Sequence, residues 1–349
     1  GYSLRSDFKF DSDYNETMSF SSEESFSRLS SYSISYNTQT LITMIEHNEL
    51  TLEPEFQRYF IWNKETSSLF IDSLLIGIPT PNLFFGRSSN YNEIVVIDGL
   101  QRLKTIYLFF TGKFRLSKLN GRLWNGMYFS DLPNEYKRRL MQSIISVTVV
   151  DDIDFNPKII HELFYRINTK GVALTNQEVR NCVFNGPFNK MLHEINGIES
   201  WRNILNNKNP HIRLEDIESI LRIFAFIENK DDFKFPLHEF LSEYQLKNKD
   251  KSREDLKTLF SLICEKVNNE IDVTLFNSHK KINRTYLEPF LTAIGIKIKN
   301  NEPIKNLNKS FHNYMTFVNN NVEYRITKLN NKRIIIDRIY IALRLLGEE

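Results

Sequence analysis

The sequence Val95-Val96-Ile97-Asp98-Gly99-Leu100-Gln101-Arg102-Leu103 contains the clearest structural signal in the first half of this chain. Its first residues are apolar and β-branched, which predicts a buried strand. Leu103, Ile106 and Phe110 then recur at helical spacing, so a helix follows the turn at Asp98-Gly99. A strand-to-helix junction of this kind presents backbone N–H groups at the positive end of a helix, which favours binding of a phosphate or another anion.

The polar residues at this junction have the chemistry of a nucleotide site. Gly99 has no Cβ and lets a ligand approach the backbone, while the planar guanidinium of Arg102 matches phosphate oxygens. Gln101 is suited to orient a water or hold a ribose, and Asp98 to hold Mg²⁺ or act as a general base. A structural alternative stays open on the residues alone, in which Asp98-Gly99 is a turn and Arg102 pairs with a nearby carboxylate.

On both sides of the junction, strand and helix patterns alternate up to about residue 155, and only helical patterns follow. Strand patterns occupy 50–52, 82–86, 93–97 and 144–150, and helices are predicted to begin at the caps Thr38 and Asn63. The fold class is therefore α+β, followed by an all-α region. The predicted organisation is a disordered Ser-rich tail at 1–36, a mixed-sheet domain at 37–155 and a helical domain at 156–349.

Composition narrows the function classes less than the motifs do. The chain has 349 residues and a net charge of +2, so no overall charge points to a nucleic acid or a membrane as partner. No apolar run reaches the roughly 18 residues that a membrane span needs, so no membrane partner is expected. The two cysteines, Cys182 and Cys264, match no metal-ligand spacing, and a reducing, cytoplasmic location is expected.

Three further motifs accompany the junction, in a fixed order along the chain. They are Pro54-x-Phe56-Gln57-Arg58-x3-Trp62, Asp72-Ser73-x3-Gly77-x-Pro79-x-Pro81, and Phe164-x-Arg166-Ile167-Asn168-Thr169-Lys170-Gly171-x2-Leu174-Thr175-x2-Glu178-x-Arg180-Asn181. Together with Asp98-Gly99-Leu100-Gln101-Arg102, this order resembles the N-terminal domain family of GmrSD-type restriction endonucleases, also catalogued as domain of unknown function 262. The resemblance covers about residues 50–190.

The resemblance implies a fold and a nucleotide-related activity. It implies that the mixed-sheet domain is ParB/sulfiredoxin-like and that the chain binds, and hydrolyses, a nucleoside triphosphate with Mg²⁺ as cofactor. The implied catalytic residues are Asp98, Gln101 and Arg102, with Asp98 also as metal ligand. The implied nucleotide- and phosphate-binding residues are Gln57, Arg58, Gly99, Arg102, Asn168 and Arg180.

Two departures from the family pattern bear on activity. The family's central motif usually reads Asp-Gly-Gln-Gln-Arg, whereas Leu100 stands at its middle position here. Full-length relatives often carry a C-terminal HNH nuclease domain, yet none of the seven histidines here lies in a convincing His-x-x-Pro or paired-His arrangement. The helical half is therefore expected to be the family's helical extension without the nuclease, with an HNH nuclease subunit as a candidate partner.

A basic region near the C-terminus suggests a contact with DNA. Residues 280–344 hold 13 Lys and Arg against four Asp and Glu. Such a surplus is suited to follow a phosphate backbone, although a solvated helix face has the same composition. The predicted DNA-binding residues are Lys328, Lys332, Arg333 and Arg338.

The preferred function is a nucleotide-binding and, in its fullest form, NTP-hydrolysing component of a bacterial anti-phage, modification-dependent restriction system that acts on DNA. One alternative is a non-catalytic protein that binds DNA or docks a partner, in which Leu100 marks a decayed hydrolytic site. A second is a metal-dependent nuclease that uses the ParB-like site. An oligomer is compatible with all three.

Overall fold

The computed structural model describes residues 9–10, 28–52, 62–89, 93–153, 157–167, 174–325 and 332–347. The chain divides into two compact units. One, here called the α/β unit, runs from Ser21 to Leu174. The other, here called the helical unit, combines Gly1–Phe20 with Thr175–Glu349. The helical unit therefore takes its residues from both ends of the sequence.

A five-stranded mixed sheet forms the centre of the α/β unit. After the short strand β1 (Lys9–Phe10) in the helical unit, the chain forms β2 (Ser31–Asn37), β3 (Leu50–Thr51), β4 (Leu83–Arg87), β5 (Ile94–Asp98) and β6 (Ile144–Val150). The strand order is β2-β6-β4-β5-β3. β4 is antiparallel to β5 and parallel to β6. The predicted α+β class is confirmed, and the apolar runs that predicted β5 and β6 form central strands.

β2 corrects the prediction of a disordered tail over 1–36 for the last six of those residues, 31–36. Residues 31–37 pair with the whole length of β6, from Ser31 opposite Val150 to Asn37 opposite Ile144. Ile34 and Tyr36 pack against the core of the unit, while Ser33 and Ser35 are exposed. The reason is an alternation of period two, which turns alternate side chains toward one face of a sheet. The high serine content concealed this pattern.

One face of the sheet is covered by α1 (Thr38–Glu46), α2 (Lys64–Ile76), α3 (Leu100–Phe110) and α4 (Asn134–Met141). The ends of α2 agree with the sequence signals for them. Asn63 accepts a hydrogen bond from the backbone N–H of Thr66 at 2.8 Å, and Gly77 ends the helix in the left-handed conformation. The helix that carries the junction is therefore held between the sheet and its neighbours, since α3 packs against α1 and α2.

A segment of little regular structure at 111–133 is fixed to α2 by one buried carboxylate. Asp72 is 5% exposed and accepts hydrogen bonds from Trp124 Nε1 at 2.8 Å and from Arg122 Nε at 3.0 Å. Asp72 belongs to the second of the sequence motifs described above. Its place in the fold is a hydrogen-bonded contact between α2 and this segment.

The helix α5 (Pro157–Ile167) belongs to the α/β unit, whereas the sequence places it in the helical domain. The sequence places the boundary at 155/156, whereas the two units divide between Leu174 and Thr175. Ile160 and Phe164 are buried, and α5 packs against β5. Strand alternation turns Val95 and Ile97 away from the face that α1 to α4 cover, so α5 contributes to the second face of the sheet. Its helical pattern alone did not reveal that it packs on the sheet.

The helical unit is built around one large apolar core. Its helices are α6 (Asn176–Val183), α7 (Pro187–Asn196), α8 (Glu199–Leu205), α9 (Glu215–Asn229), α10 (Leu237–Asn248), α11 (Glu254–Glu270), α12 (Arg284–Lys299), α13 (Leu307–Asn320), α14 (Val322–Arg325) and α15 (Lys332–Leu346), with the short strands β7 (Asn277–Ser278) and β8 (Lys281–Ile282) before α12. α12 packs against α9, α11 and α15. A Cβ at Gly295 would lie 2.5 Å from Ile227 and 2.9 Å from Ile263, so α12 approaches both neighbours closely.

None of the helices formed by the described residues has both the length and the apolar composition needed to cross a bilayer.

Candidate functional site

The junction between β5 and α3 has the form that its sequence predicts. β5 ends at Asp98 and α3 begins at Leu100, with Gly99 between them at φ 104°. The N–H of Leu103 then closes the first helical turn on the carbonyl of Gly99 at 3.1 Å. A side chain at position 99 would be strained by the positive φ, and its Cβ would clash with Leu83 Cδ2. Glycine is therefore required here for two separate reasons.

Gly99→Ala is expected to lower the free energy of unfolding by about 2–4 kcal/mol, of which about 1–2 come from the left-handed backbone and the rest from displacing buried Leu83. Gly77→Ala is the matched control, because Gly77 has φ 83° but a Cβ added there would meet no other atom within 4 Å. Urea denaturation of both variants would measure the difference. Equal losses in the two variants would contradict the clash with Leu83.

Arg102 ties the start of α3 to the segment that enters β4. Its guanidinium donates hydrogen bonds to the carbonyl of Pro81 and, at 3.2 Å, to the carbonyl of Asn82. Its Nη2 also lies 3.6 Å from Asp98 Oδ2. The side chain of Arg102 is 13% exposed and that of Asp98 27%. The acid and the guanidinium are thus a half-buried pair, and the Asp98 carboxylate is the more accessible member.

Burial shifts the protonation of both members of this pair. Burial raises the pKa of Asp98, and the attraction of Arg102 and a hydrogen bond from the Gly99 N–H oppose this rise only in part. Burial likewise lowers the pKa of Arg102, and Asp98 opposes this. Two residues further along α3, Lys104 is 2% exposed, and burial lowers its pKa to about 8. The end of β5 and the first turns of α3 therefore hold three ionisable groups that are partly or fully removed from water.

The N-terminus of α3 keeps its positive potential. Gly99 supplies no side-chain cap, and the first turn contains no acidic residue. The first backbone N–H groups of a helix have no partner within the helix, and the nearby cation is Arg102, which pairs with Asp98. This arrangement attracts an anion. The sequence does not indicate that Lys104 is buried, because lysine side chains are mostly exposed.

The other two residues of the junction contribute differently. Gln101 is half-buried in the first turn of α3, and its carbonyl accepts a hydrogen bond from Thr105 Oγ1 at 2.8 Å. Leu100 is half-buried and packs against the core of the α/β unit. An apolar side chain thus adds to packing at the position where a polar amide was expected from the resemblance.

Residues 38–185 match the family model described as the GmrSD restriction endonuclease N-terminal domain. This segment belongs to that family. No match was found among curated proteins or among solved structures. The recognition of the family from its ordered motifs is confirmed.

The GmrSD N-terminal segment does not coincide with one structural unit. Its match ends at residue 185, while the α/β unit ends at Leu174. The last part of the match, which includes α6, belongs to the helical unit. The motif residues on α6 therefore have their contacts in the helical core.

Arg180 shows this placement most clearly. The side chain is 1% exposed, and it donates to Ser242 Oγ at 3.0 Å, to Gln177 Oε1 at 2.8 Å and to Glu218 Oε2 at 3.1 Å. It also donates to the carbonyl of His238 at 3.2 Å. In place of the predicted phosphate contact, the structure gives this guanidinium partners inside the helical unit.

Glu178, which precedes Arg180 in the motif, lies in the first turn of α6. Its backbone N–H donates to Thr175 Oγ1 at 3.2 Å, and its carboxylate accepts from Arg213 Nε at 2.5 Å. The carboxylate of Glu178 is thus held in an ion pair with Arg213. Three other predicted site residues, Gln57, Arg58 and Asn168, lie outside the described residues.

The predicted DNA-binding residues fall into different environments. Lys328 lies outside the described residues, and Lys332 begins α15. Arg333 is 85% exposed and lies 3.6 Å from Asp337. Arg338 is completely buried and donates to the carbonyl of Tyr324 at 2.9 Å. The prediction for Arg338 is thus corrected, because its side chain is enclosed by the helical unit, whereas that for Arg333 stays a prediction.

The described residues contain no group of three or more His, Cys, Asp or Glu side chains arranged to hold a metal ion. Asp98 is a single carboxylate at the junction. Mg²⁺ in nucleotide sites is commonly held by one or two carboxylates, with phosphates and water supplying the other ligands. The Asp98 carboxylate fits that mode of binding and does not fit a metal site made of protein ligands alone.

Proposed function

We propose that the chain is a nucleotide-binding component of a restriction system, with the triphosphate at the N-terminus of α3. The observation that carries the proposal is the half-buried pair of Asp98 and Arg102 beside an uncapped helix N-terminus. The family match supports the restriction system, and with it an interaction with DNA. Nucleotide binding rests on the chemistry of the junction.

Each residue of the junction has a distinct part in this proposal. The first backbone N–H groups of α3 bind phosphate oxygens, while Gly99 allows the turn and makes room for Leu83 beside it. Arg102 is fixed by the carbonyls of Pro81 and Asn82, so its charge is positioned before the ligand arrives. Little reorganisation is then needed when the anion binds.

Hydrolysis adds a proton acceptor to this arrangement. The Asp98 carboxylate is the accessible member of its pair, and burial brings its pKa closer to neutrality. It is suited to accept a proton from an attacking water, with Gln101 orienting that water. In the other role open to this carboxylate, Asp98 would hold Mg²⁺, and the ion would neutralise charge on the phosphates.

A non-catalytic role is the second candidate, and Leu100 is the observation that favours it. Leu100 packs into the core instead of offering an amide to the site. In this case the junction holds a nucleotide without turning it over, and the helical unit binds DNA or docks a nuclease partner. A nuclease that uses the same site is the third candidate, and it predicts metal-dependent nicking of DNA that Asp98→Ala abolishes.

A binding panel of ATP, GTP, CTP and UTP with Mg²⁺, with and without DNA, tests the proposal. We expect at least one nucleotide to bind the wild-type chain, and Arg102→Ala to weaken that binding by about 10–100-fold, as for loss of a charged hydrogen-bonding group. Arg139→Ala is the matched control, because Arg139 is 48% exposed and pairs with Glu135 on the surface of the same unit. A chain that binds no nucleotide under any of these conditions contradicts the proposal.

A further inference from the structure

The first described residues of the chain form a strand on a distant hairpin. β1 (Lys9–Phe10) runs parallel to β8, with Lys9 opposite Lys281 and Phe10 opposite Ile282. The Lys9 N–H donates to the carbonyl of Lys280 at 2.9 Å. β8 pairs on its other side with β7 in a tight hairpin. β1 therefore covers an edge of β8 that would otherwise present unpaired backbone groups.

Phe10 fills a built pocket in the helical unit. It is 6% exposed and belongs to the core of that unit. The guanidinium carbon of Arg284 lies 4.7 Å from the centre of its ring, and the ring of His211 meets it edge-on at 5.9 Å. Such contacts combine the burial of a large apolar side chain with a cation–π attraction.

Arg284 depends on Phe10 for part of its environment. Its side chain is 5% exposed, and its Nη1 donates to Glu288 at 3.2 Å. Its Nε has no hydrogen-bond partner among the described residues. The aromatic ring therefore covers a buried guanidinium that is only partly hydrogen-bonded. Removal of Phe10 would open this cation to solvent and leave an aromatic-sized pocket beside a free strand edge.

The chain connection makes β1 different from other elements of the helical unit. Residues 11–27 separate Phe10 from the next described residue, Arg28, which belongs to the α/β unit. Among the described residues before Thr175, only Lys9–Phe10 belong to the helical unit. A two-residue strand is too short to be stable alone, so docking on β8 and into the pocket is what orders it.

We propose that Lys9–Phe10 is a self-docking strand, and that β8 with the Phe10 pocket is a strand-addition groove for an extended segment that carries an aromatic residue. The occupant is the N-terminal segment of the same chain. Recognition follows the usual division for added strands, in which backbone hydrogen bonds supply pairing and a side-chain pocket supplies selectivity.

A fluorescent peptide with the sequence of residues 5–15, added to the full-length protein, tests this groove. In the wild type the tethered segment competes at an effective concentration of about 1 mM, so the peptide should bind weakly. In the Phe10→Ala protein the pocket is vacated, and we expect the peptide to bind at least tenfold more tightly. A peptide with Ala in place of Phe10 should not bind either protein. Equal, undetectable binding of the wild-type peptide to both proteins would overturn the proposal.

A disulfide lock provides a second measurement that does not depend on the folding of Phe10→Ala. Lys9 and Lys281 are exposed cross-strand partners, and cysteines at both positions would have a separation compatible with a disulfide. We expect Lys9→Cys/Lys281→Cys to form this disulfide within one chain. A failure to form it would overturn the docking, and a disulfide-linked dimer would overturn the same-chain assignment in favour of exchange between two copies.

Discussion

Asp216→Ala should destabilise the helical unit by about 3–5 kcal/mol, the cost of removing one partner from a buried ion pair. Asp216 is completely buried and lies 2.9 Å from Arg202 Nη1. It also accepts hydrogen bonds from Asn196 Nδ2 at 3.1 Å and from the His211 N–H at 2.8 Å. Truncation leaves the buried Arg202 without its counter-charge and two further donors without their acceptor.

Asp255→Ala is the matched control for this substitution. Asp255 accepts from Arg253 Nε and Nη2, both at 3.0 Å, so its ion pair is as close as that of Asp216. Its side chain, however, is 65% exposed, and surface pairs contribute less than about 1 kcal/mol. Urea denaturation followed by circular dichroism would measure both losses. Similar losses for the two variants would show that burial does not set the difference.

The parts of the fold that the sequence predicts are those with local causes. β5 and β6 are predicted from their β-branched runs, which favour a strand. The ends of α2 follow from the cap Asn63 and from Gly77, which act within one turn of the helix. The junction at Asp98-Gly99 was predicted for the same reason, since a strand, a turn and a helical stripe follow one another without interruption.

The parts that the sequence does not predict depend on contacts between distant residues. Nothing in the sequence distinguishes Arg180 and Arg338 from exposed arginines. Both are buried because the helical unit packs around them. The helical pattern of α5 is compatible with either unit. Its contact with β5 places it in the α/β unit. Phe10 is buried by residues more than 200 positions away along the chain. Its neighbours in the sequence therefore do not indicate that it is buried.

The position of Leu100 is intermediate between these two cases. The departure from the family's usual amide is visible in the sequence, and the structure shows that the side chain packs on the core of the α/β unit. Packing removes one polar group from the junction but leaves the Asp98–Arg102 pair and the uncapped end of α3 intact. We therefore expect that binding of an anion does not require an amide at position 100. Turnover in Leu100→Gln tests whether hydrolysis requires it.

In a chain that hydrolyses nucleotide as proposed, Asp98→Asn is expected to reduce turnover by about 10²–10⁴-fold, the contribution of a general base, while the free energy of unfolding at pH 7 stays equal or rises. The sign follows from the raised pKa of Asp98 in the folded chain. Below the pKa that Asp98 has in the unfolded chain, the group is protonated in both states and does not oppose folding. As pH rises from there through its higher pKa in the folded chain, the free energy of unfolding falls. At pH 7 the ionised carboxylate thus opposes folding, and asparagine removes that opposition while its amide oxygen still accepts from the Gly99 N–H.

Turnover rates and urea denaturation of the wild type and Asp98→Asn, each measured from pH 4 to pH 8, separate the roles open to this residue. A base predicts that wild-type turnover falls as pH is lowered through a value above the ordinary pKa of aspartate, and that Asp98→Asn loses turnover without losing stability. A purely structural partner of Arg102 predicts the reverse, with lower stability in Asp98→Asn at pH 7. Leu100→Gln completes the comparison: if it raises turnover in the wild-type background but not beside Asp98→Asn, the amide acts through the same water as the carboxylate. A half-buried acid whose charge opposes folding is best explained by its chemistry, and stability and turnover that fall together in Asp98→Asn would contradict that explanation.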